Sequence, residues 1–324
     1  MSGIPGRVNV LDLEPVSEDF LLEVVDGLSS SPRSLPCKFF YDERGAERFQ
    51  KICELPEYYI TRTETELLRR HGGEMAESIG ANAELIGFGT GAGVKTRMLL
   101  EHLENPIAYV PVDISKQRLT DSAAELSRAM PALEILPVCG DYLQPLQLPK
   151  SLRKPDHVAV YFPGSTIGNL EPEIAADFLR RVCRLCGKSG GLIIGVDLQK
   201  AREVLEAAYN DSAGVTAEFN LNLLVRANRE LGADFDLPLW RHQAIYNDRH
   251  HRIEMHLISE AEQTVHVGGA EFLFARGEKI ITEFSYKYTQ EDFARLAVSA
   301  GFRLARVWTD PRRLFAVFHF TVAE

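Results

Sequence analysis

Apolar residues recur at helical spacing between Ser17 and Leu28, at Phe20, Leu21, Val24, Val25 and Leu28, which predicts an N-terminal helix ended by the loop SSSPRSLP. A short helix follows near Ala46 to Leu55, with Phe49, Ile52 and Cys53 on one face and Pro56 ending it. A Thr63-x-x-Glu66 capping box predicts the opening of the next helix, TRTETELLRRHGGEMAESIG. At Glu84 to Arg97, ELIGFGTGAGVKTR, the pattern changes to a strand end, a glycine-packed turn and a helix start.

Beyond that stretch, the runs IAYVPVDI, LEILPVCGDY, HVAVYFPGS and GLIIGVDL alternate with helices at Lys116 to Met130 and Glu171 to Cys186, with Ser115 as N-cap of the first. Such alternation predicts an α/β fold with a doubly wound parallel sheet. Pro111 and Pro137 lie inside the second and third strands and suggest a position towards the sheet edge, where a missing N–H is best tolerated. After Asp197 the alternation stops. A helical region to about Leu231 and the runs HRIEMHLIS, TVHVGGAEFLFA and KIITEFSYKY predict an inserted α+β unit. A Thr289-x-x-Asp292 helix start, the helix EDFARLAVSAGF and two last runs, RLARVWTD and RLFAVFHFTVA, predict an antiparallel hairpin at one sheet edge.

Composition narrows the function classes. A formal net charge of -10 argues against a general nucleic-acid binder, which needs clustered Lys and Arg. No apolar run approaches the roughly 20 residues of a membrane span, and MSGIPGRVNVLDLEP has no leader pattern, so a cytoplasmic protein with no membrane or nucleic-acid partner is expected. Cys183 and Cys186 form a CxxC, but it sits in the helical FLRRVCRLCG without a second ligand pair, so buried thiols and no metal site are expected.

The glycine loop points to a nucleotide. It is not a P-loop, because no glycine precedes Lys95. Gly87-x-Gly89-x-x-Ala92 fits a dinucleotide site, with Asp113 about 20 residues on for the ribose. S-adenosylmethionine fits as well. Asp113 and Asp141 end neighbouring strands and suit the ribose hydroxyls and the adenine amino group, with Tyr142 beside the adenine ring. Alternatively, each aspartate merely caps the helix after it.

The runs FFYDERG, LPEYYITRTE, the glycine loop ending KTRMLL, FPGSTIGNL, GVTAEFNLNLL, NRELGADFD, RIEM and TEFSYK resemble those of the ergothioneine-pathway histidine Nα-methyltransferases over nearly the whole chain. The resemblance implies a class I, Rossmann-like methyltransferase core with an inserted substrate-binding domain. The core would take residues 62–198 and 287–324, the substrate domain residues 1–61 and 199–286. It implies S-adenosylmethionine as donor and L-histidine as a substrate trimethylated on its α-amino group to hercynine, and a monomer is expected.

Matched motif by motif, the cofactor contacts fall on Gly89, Gly91, Lys95, Asp113, Asp141 and Tyr142. Tyr41, Tyr58, Gly164, Asn169 and Tyr209 match positions around the amino acid's backbone and ring, with Asn169 and Tyr41 as catalytic residues. Met255, Glu283 and Ser285 match those that recognise the side chain. Asn169 would accept from the amine, and the tyrosine faces tolerate the quaternary ammonium product by cation–π attraction. Glu283 and Ser285, two apart in a strand, should share a face. Three positions depart from the family: Gly87 stands where an acidic residue is usual, Pro163 replaces leucine and Tyr142 replaces phenylalanine. The competing readings are the same methylation of another amino acid such as tryptophan, an NAD-dependent oxidoreductase resting on Gly87, Gly89 and Ala92, and a non-catalytic nucleotide-binding module.

Overall fold

A computed structural model describes residues 9–13, 19–89 and 93–323. The chain divides into two compact units, one of Met1–Pro15, Arg62–Leu198 and Tyr288–Glu324, the other of Val16–Thr61 and Gln199–Lys287. Among the described residues, no helix is long and apolar enough to cross a membrane.

The first unit is built on one sheet. Its strands run in the order Leu11–Asp12, Val138–Cys139, Ala108–Asp113, Ala83–Phe88, His157–Phe162, Gly191–Asp197, Phe315–Val322 and Phe302–Thr309, with Glu134–Ile135 also pairing to Ala108–Asp113. All pairs are parallel up to Gly191–Asp197, and the last two strands close the edge as the expected antiparallel hairpin. The central strands are buried almost throughout, which is why they read as continuous apolar runs. Helix Lys116–Ala129 packs on Ala108–Asp113, and Pro172–Cys186 packs on His157–Phe162 and Gly191–Asp197. This is the predicted class I arrangement.

Local expectations need correcting in this unit. Ala108–Asp113 is interior rather than peripheral, because Pro111 loses its donor where the neighbouring strand is itself interrupted. That neighbour splits into Glu134–Ile135 and Val138–Cys139, leaving Leu136 and Pro137 between them, with Leu136 N–H bonded to Tyr109 O at 2.9 Å. The capping box at Thr63 does not open a helix: the helix runs Tyr59–Ile79, so Thr63 lies in its second turn, and Glu66 pairs with Arg69 and Arg70. Ser115 precedes Lys116–Ala129 but its side chain makes no capping bond. By contrast, Thr289 does cap Gln290–Ser299, accepting from Asp292 N–H at 3.0 Å.

The second unit holds an antiparallel sheet in the order Lys279–Tyr286, Arg252–Ser259, Trp240–Asn247. The pattern alone missed Trp240–Asn247, whose polar and apolar positions do not alternate cleanly. The run TVHVGGAEFLFA is a hairpin, Gln263–Val267 against Ala270–Phe274. Gly268 and Gly269, with φ of 58° and 85°, form the two-residue turn that only positive φ allows.

Asp42 ties this unit's helices together. It caps Glu43–Glu54 by accepting from Gly45 N–H at 2.8 Å, and also accepts from Asn222 Nδ2 at 2.8 Å and Arg229 Nη2 at 2.6 Å. Burial alone would raise its pKa, but the bonds from Arg229, Gly45 and Asn222 hold the carboxyl below the usual range. Replacing it removes the cap, takes from Asn222 Nδ2 its acceptor and leaves Arg229 paired with Glu230 alone of the two carboxylates. Asp42→Ala should therefore cost about 2 kcal/mol in denaturant unfolding. A carboxyl with a lowered folded pKa stabilises above its unfolded pKa and loses that contribution as pH falls through the folded value. The gap between wild type and Asp42→Ala should therefore be full at neutral pH and close on acidification.

Candidate active site

In the first unit, the predicted cofactor residues gather at the carboxyl ends of the strands. Gly89 follows Ala83–Phe88, with a φ of 57°, and its N–H bonds to Val112 O at 3.0 Å. Asp113 ends the next strand and accepts from Ser115 N–H at 2.9 Å through Oδ1; Asp141 accepts from Leu143 N–H at 2.8 Å in the same way. Each aspartate thus fixes its own turn. Tyr142 lies in an aromatic cluster, its ring 5.9 Å from Phe88, 5.4 Å from Phe162 and 5.8 Å from Phe178. Gly91 lies outside the described residues.

Lys95, in the first turn of Val94–Leu100, donates to the carboxylate of Glu64, which is wholly buried. The same carboxylate accepts from Gly164 N–H at 2.9 Å and 3.1 Å. Its other neighbour is Gly195 in Gly191–Asp197, where any Cβ would come within 2.2 Å of Glu64 Oε1. That glycine sits in a strand interior because a side chain is impossible there. Gly164 and Ser165 are both left-handed, with φ of 79° and 57°, and Ser165 Oγ accepts from Asp197 N–H at 2.9 Å. These contacts fix the FPGSTIGN turn, whose Thr166–Asn169 segment ends on the half-buried Asn169.

Of the residues matched to the amino acid, Gly164 and Asn169 lie in the first unit, while Tyr41, Tyr58, Tyr209, Met255, Glu283 and Ser285 lie in the second. Tyr41, beside the capping Asp42, packs edge-on against Phe49 at 5.5 Å and Phe219 at 5.9 Å. Tyr58 lies 6.2 Å from the ring of Tyr209. Burial raises the Tyr58 phenol well above its usual value, helped by Tyr209, Cys53, Tyr41 and Glu283. Glu283 sits directly across from Met255 in the paired strands, so the two share a face with Ser285. Ser285 Oγ is 2.9 Å from Tyr209 Oη. Burial pushes the half-buried Glu283 carboxyl up to about 7, against the opposing charge of Lys287. Burial and the nearby Glu283 also push the Cys37 thiol up to about 12.

Two further charges were missed from the sequence. Lys287 is buried, 2% exposed, and donates to Tyr209 Oη at 3.0 Å and Ser285 Oγ at 2.8 Å. Glu64 is the other. Both end runs that carry the family resemblance, LPEYYITRTE and TEFSYK, and both had a signal in the pattern. Glu64 lies three, four and eleven positions before Leu67, Leu68 and Met75, on the apolar face of its helix, and Lys287 continues the alternation of Glu283 and Ser285.

The tyrosine behind the cluster is itself fixed. His242 Nδ1 lies 2.9 Å from Asn220 Nδ2, a donor, so Nε2 carries the proton and donates to Tyr209 O at 2.8 Å. Burial lowers the His242 pKa, consistent with this neutral ring.

Comparison with known proteins gives the site its context. Residues 20–322 match the family model described as "Histidine-specific methyltransferase, SAM-dependent". The chain is 40% identical over 311 residues to histidine N-alpha-methyltransferase of Mycolicibacterium smegmatis, covering 94% of this chain and 95% of that protein. It is 40% identical over 294 residues to the Mycobacterium tuberculosis protein of the same name, covering 89% and 90%. Against ergothioneine biosynthesis protein 1 of Neurospora crassa the identity is 32% over 297 residues, 86% of this chain and 32% of that larger protein.

Two outcomes follow from the buried charges. Glu64→Ala leaves the Gly164 N–H and the Lys95 ammonium without their acceptor, and should cost about 3 kcal/mol in denaturant unfolding. Glu283 holds its proton up to about 7 in the folded chain against an ordinary 4.5. The folded state therefore loses stability as pH rises between these values. Glu283→Gln removes that loss, so the variant should melt a few degrees above wild type at about pH 8 and level with it at about pH 4 in thermal scans.

Proposed function

Because the chain belongs to the histidine-specific, S-adenosylmethionine-dependent methyltransferases, we propose that it methylates the α-amino nitrogen of L-histidine three times to give the betaine hercynine, a step of ergothioneine biosynthesis. The observation that carries the substrate is the polar cluster of the second unit, where Tyr58, Tyr209, Glu283 and Ser285 come together around Lys287. A half-buried carboxylate and a buried hydroxyl suit a ring with two nitrogens. An indole, with a single N–H and no acceptor, would leave one of them unpaired.

In this reading S-adenosylmethionine supplies an electrophilic methyl on a sulfonium. Asp113 takes the ribose hydroxyls, Asp141 the adenine amino group and Tyr142 the adenine face. Lys95, held by Glu64, presents positive charge to the carboxylate of the methionine portion. Gly164 and Asn169 hold the amino acid, with Asn169 accepting from the amine so that its lone pair stays on course. The lone pair forms the N–C bond as the C–S bond breaks, leaving S-adenosylhomocysteine. The first two products then lose an ammonium proton to water before the next attack, whereas the third is a quaternary nitrogen with none to lose. Tyr41 and Tyr58 supply hydroxyls for the carboxylate, and Tyr41, Tyr58 and Tyr209 offer ring faces to the growing cation. Positioning rather than a general base does most of the catalysis.

Mass spectrometry of histidine incubated with the protein and S-adenosylmethionine should show one, two and three added methyl groups, the last accumulating. Faster methylation of tryptophan than of histidine would defeat the substrate assignment. Asn169→Ala should lower kcat by about tenfold or more through lost alignment of the amine, and unchanged turnover would remove Asn169 from its role.

A further inference from the structure

Lys287 is a buried cation that the reaction above does not use. An ammonium has three N–H donors and no acceptor, so at 2.8 Å from Ser285 Oγ and 3.0 Å from Tyr209 Oη it donates to both. Those two hydroxyls are 2.9 Å apart, and one donates to the other. The phenol is the more acidic and the better donor. With Tyr209 as the donor, the two lone pairs of Ser285 are taken by Tyr209 and Lys287. The serine proton is left to point outward, and Ser285 can only donate.

Glu283, two residues earlier on the same strand face, is the complementary acceptor when ionised. Among the described residues, Lys287, Cys37 and Tyr58 interact electrostatically with that carboxyl, and Lys287 is the cation of the three. A neutral imidazole presents one N–H and one lone pair. One fixed acceptor and one fixed donor match it, and the ammonium opposes an imidazolium by like charge.

We propose that Lys287 is a specificity-determining positioning residue, which fixes Ser285 as a hydrogen-bond donor and so makes the Glu283–Ser285 pair select the neutral imidazole ring. The inference rests on the reading that the histidine ring is held at Glu283 and Ser285.

The test compares histidine with the two pyrrolylalanines, each of which keeps one ring N–H and replaces the other nitrogen by C–H. Wild type should favour histidine over the better pyrrole by about tenfold or more in kcat/KM, since an unmatched donor is costly. Lys287→Met should remove most of that preference by raising KM for histidine, leaving KM for the pyrrole and for S-adenosylmethionine nearly unchanged. Ser285→Ala should do the same, and adding Lys287→Met to it should change the preference no further. Should Lys287→Met fail to fold by circular dichroism, Lys287→Gln serves in its place, because its carbonyl can accept from Ser285 and so undoes the fixed polarity.

A wild type without the preference, a Lys287 variant that retains it, equal rises in KM for histidine and pyrrole, or additive losses in the double variant would each overturn the assignment. A wild type that methylates tryptophan but neither histidine nor the pyrroles would instead overturn the parent reading.

Discussion

A charge taken out of water must be met by opposite charge or hydrogen bonds, and the candidate site is arranged around that constraint. In the first unit one such buried charge is Glu64, whose carboxylate joins Lys95 to the Gly164 turn and forbids any side chain at Gly195. Four segments are set by one group: the helix carrying Glu64, the helix after the glycine loop, the turn leading to Asn169, and the strand Gly191–Asp197. Were the carboxylate absent, the left-handed pair Gly164 and Ser165 would lose one of its anchors, keeping the bonds from Asp197 N–H to Ser165 Oγ and from Gly168 N–H to Ser165 O.

The second unit answers the same constraint with the opposite sign. Lys287 is buried among hydroxyls, and the carboxyl within its field, Glu283, is pushed up to about 7 by burial in spite of it. Such an arrangement is unfavourable for folding. Under the proposed function it would serve recognition, because a carboxyl near its midpoint at neutral pH can accept from a ring N–H at little cost and the ligand would supply the solvation that burial removed. Asp42 is the contrast within the same unit. Three donors hold its pKa below the usual range, so it fixes the fold around Tyr41 rather than waiting for a ligand.

Most of the fold was legible because the signals are periodic. Continuous apolar runs marked the parallel strands, and Thr289-x-x-Asp292 marked a real cap. Errors arose where tertiary context decides. Pro111 pointed to an edge because its sequence cannot show that the neighbouring strand breaks at Leu136 and Pro137. The Thr63 box was genuine spacing inside a helix that had already begun at Tyr59. Trp240–Asn247 lacks the alternation that would have exposed it.

The site was legible in its polar and aromatic members and illegible in the charges beneath them. Gly89, Asp113, Asp141 and Tyr142 were legible as candidates because strand ends are conspicuous in an alternating pattern; Glu283 and Ser285 became candidates through a run whose likeness to a family is specific. Glu64 and Lys287 stood in the same runs and were passed over for one physical reason. Charged side chains usually belong to solvent, so a carboxylate on an apolar helix face or a lysine continuing a buried strand face reads as an imperfection in the pattern. Both instead sit where periodicity demands burial. In each unit the charge that breaks the pattern is the one to which the neighbouring polar groups are hydrogen-bonded.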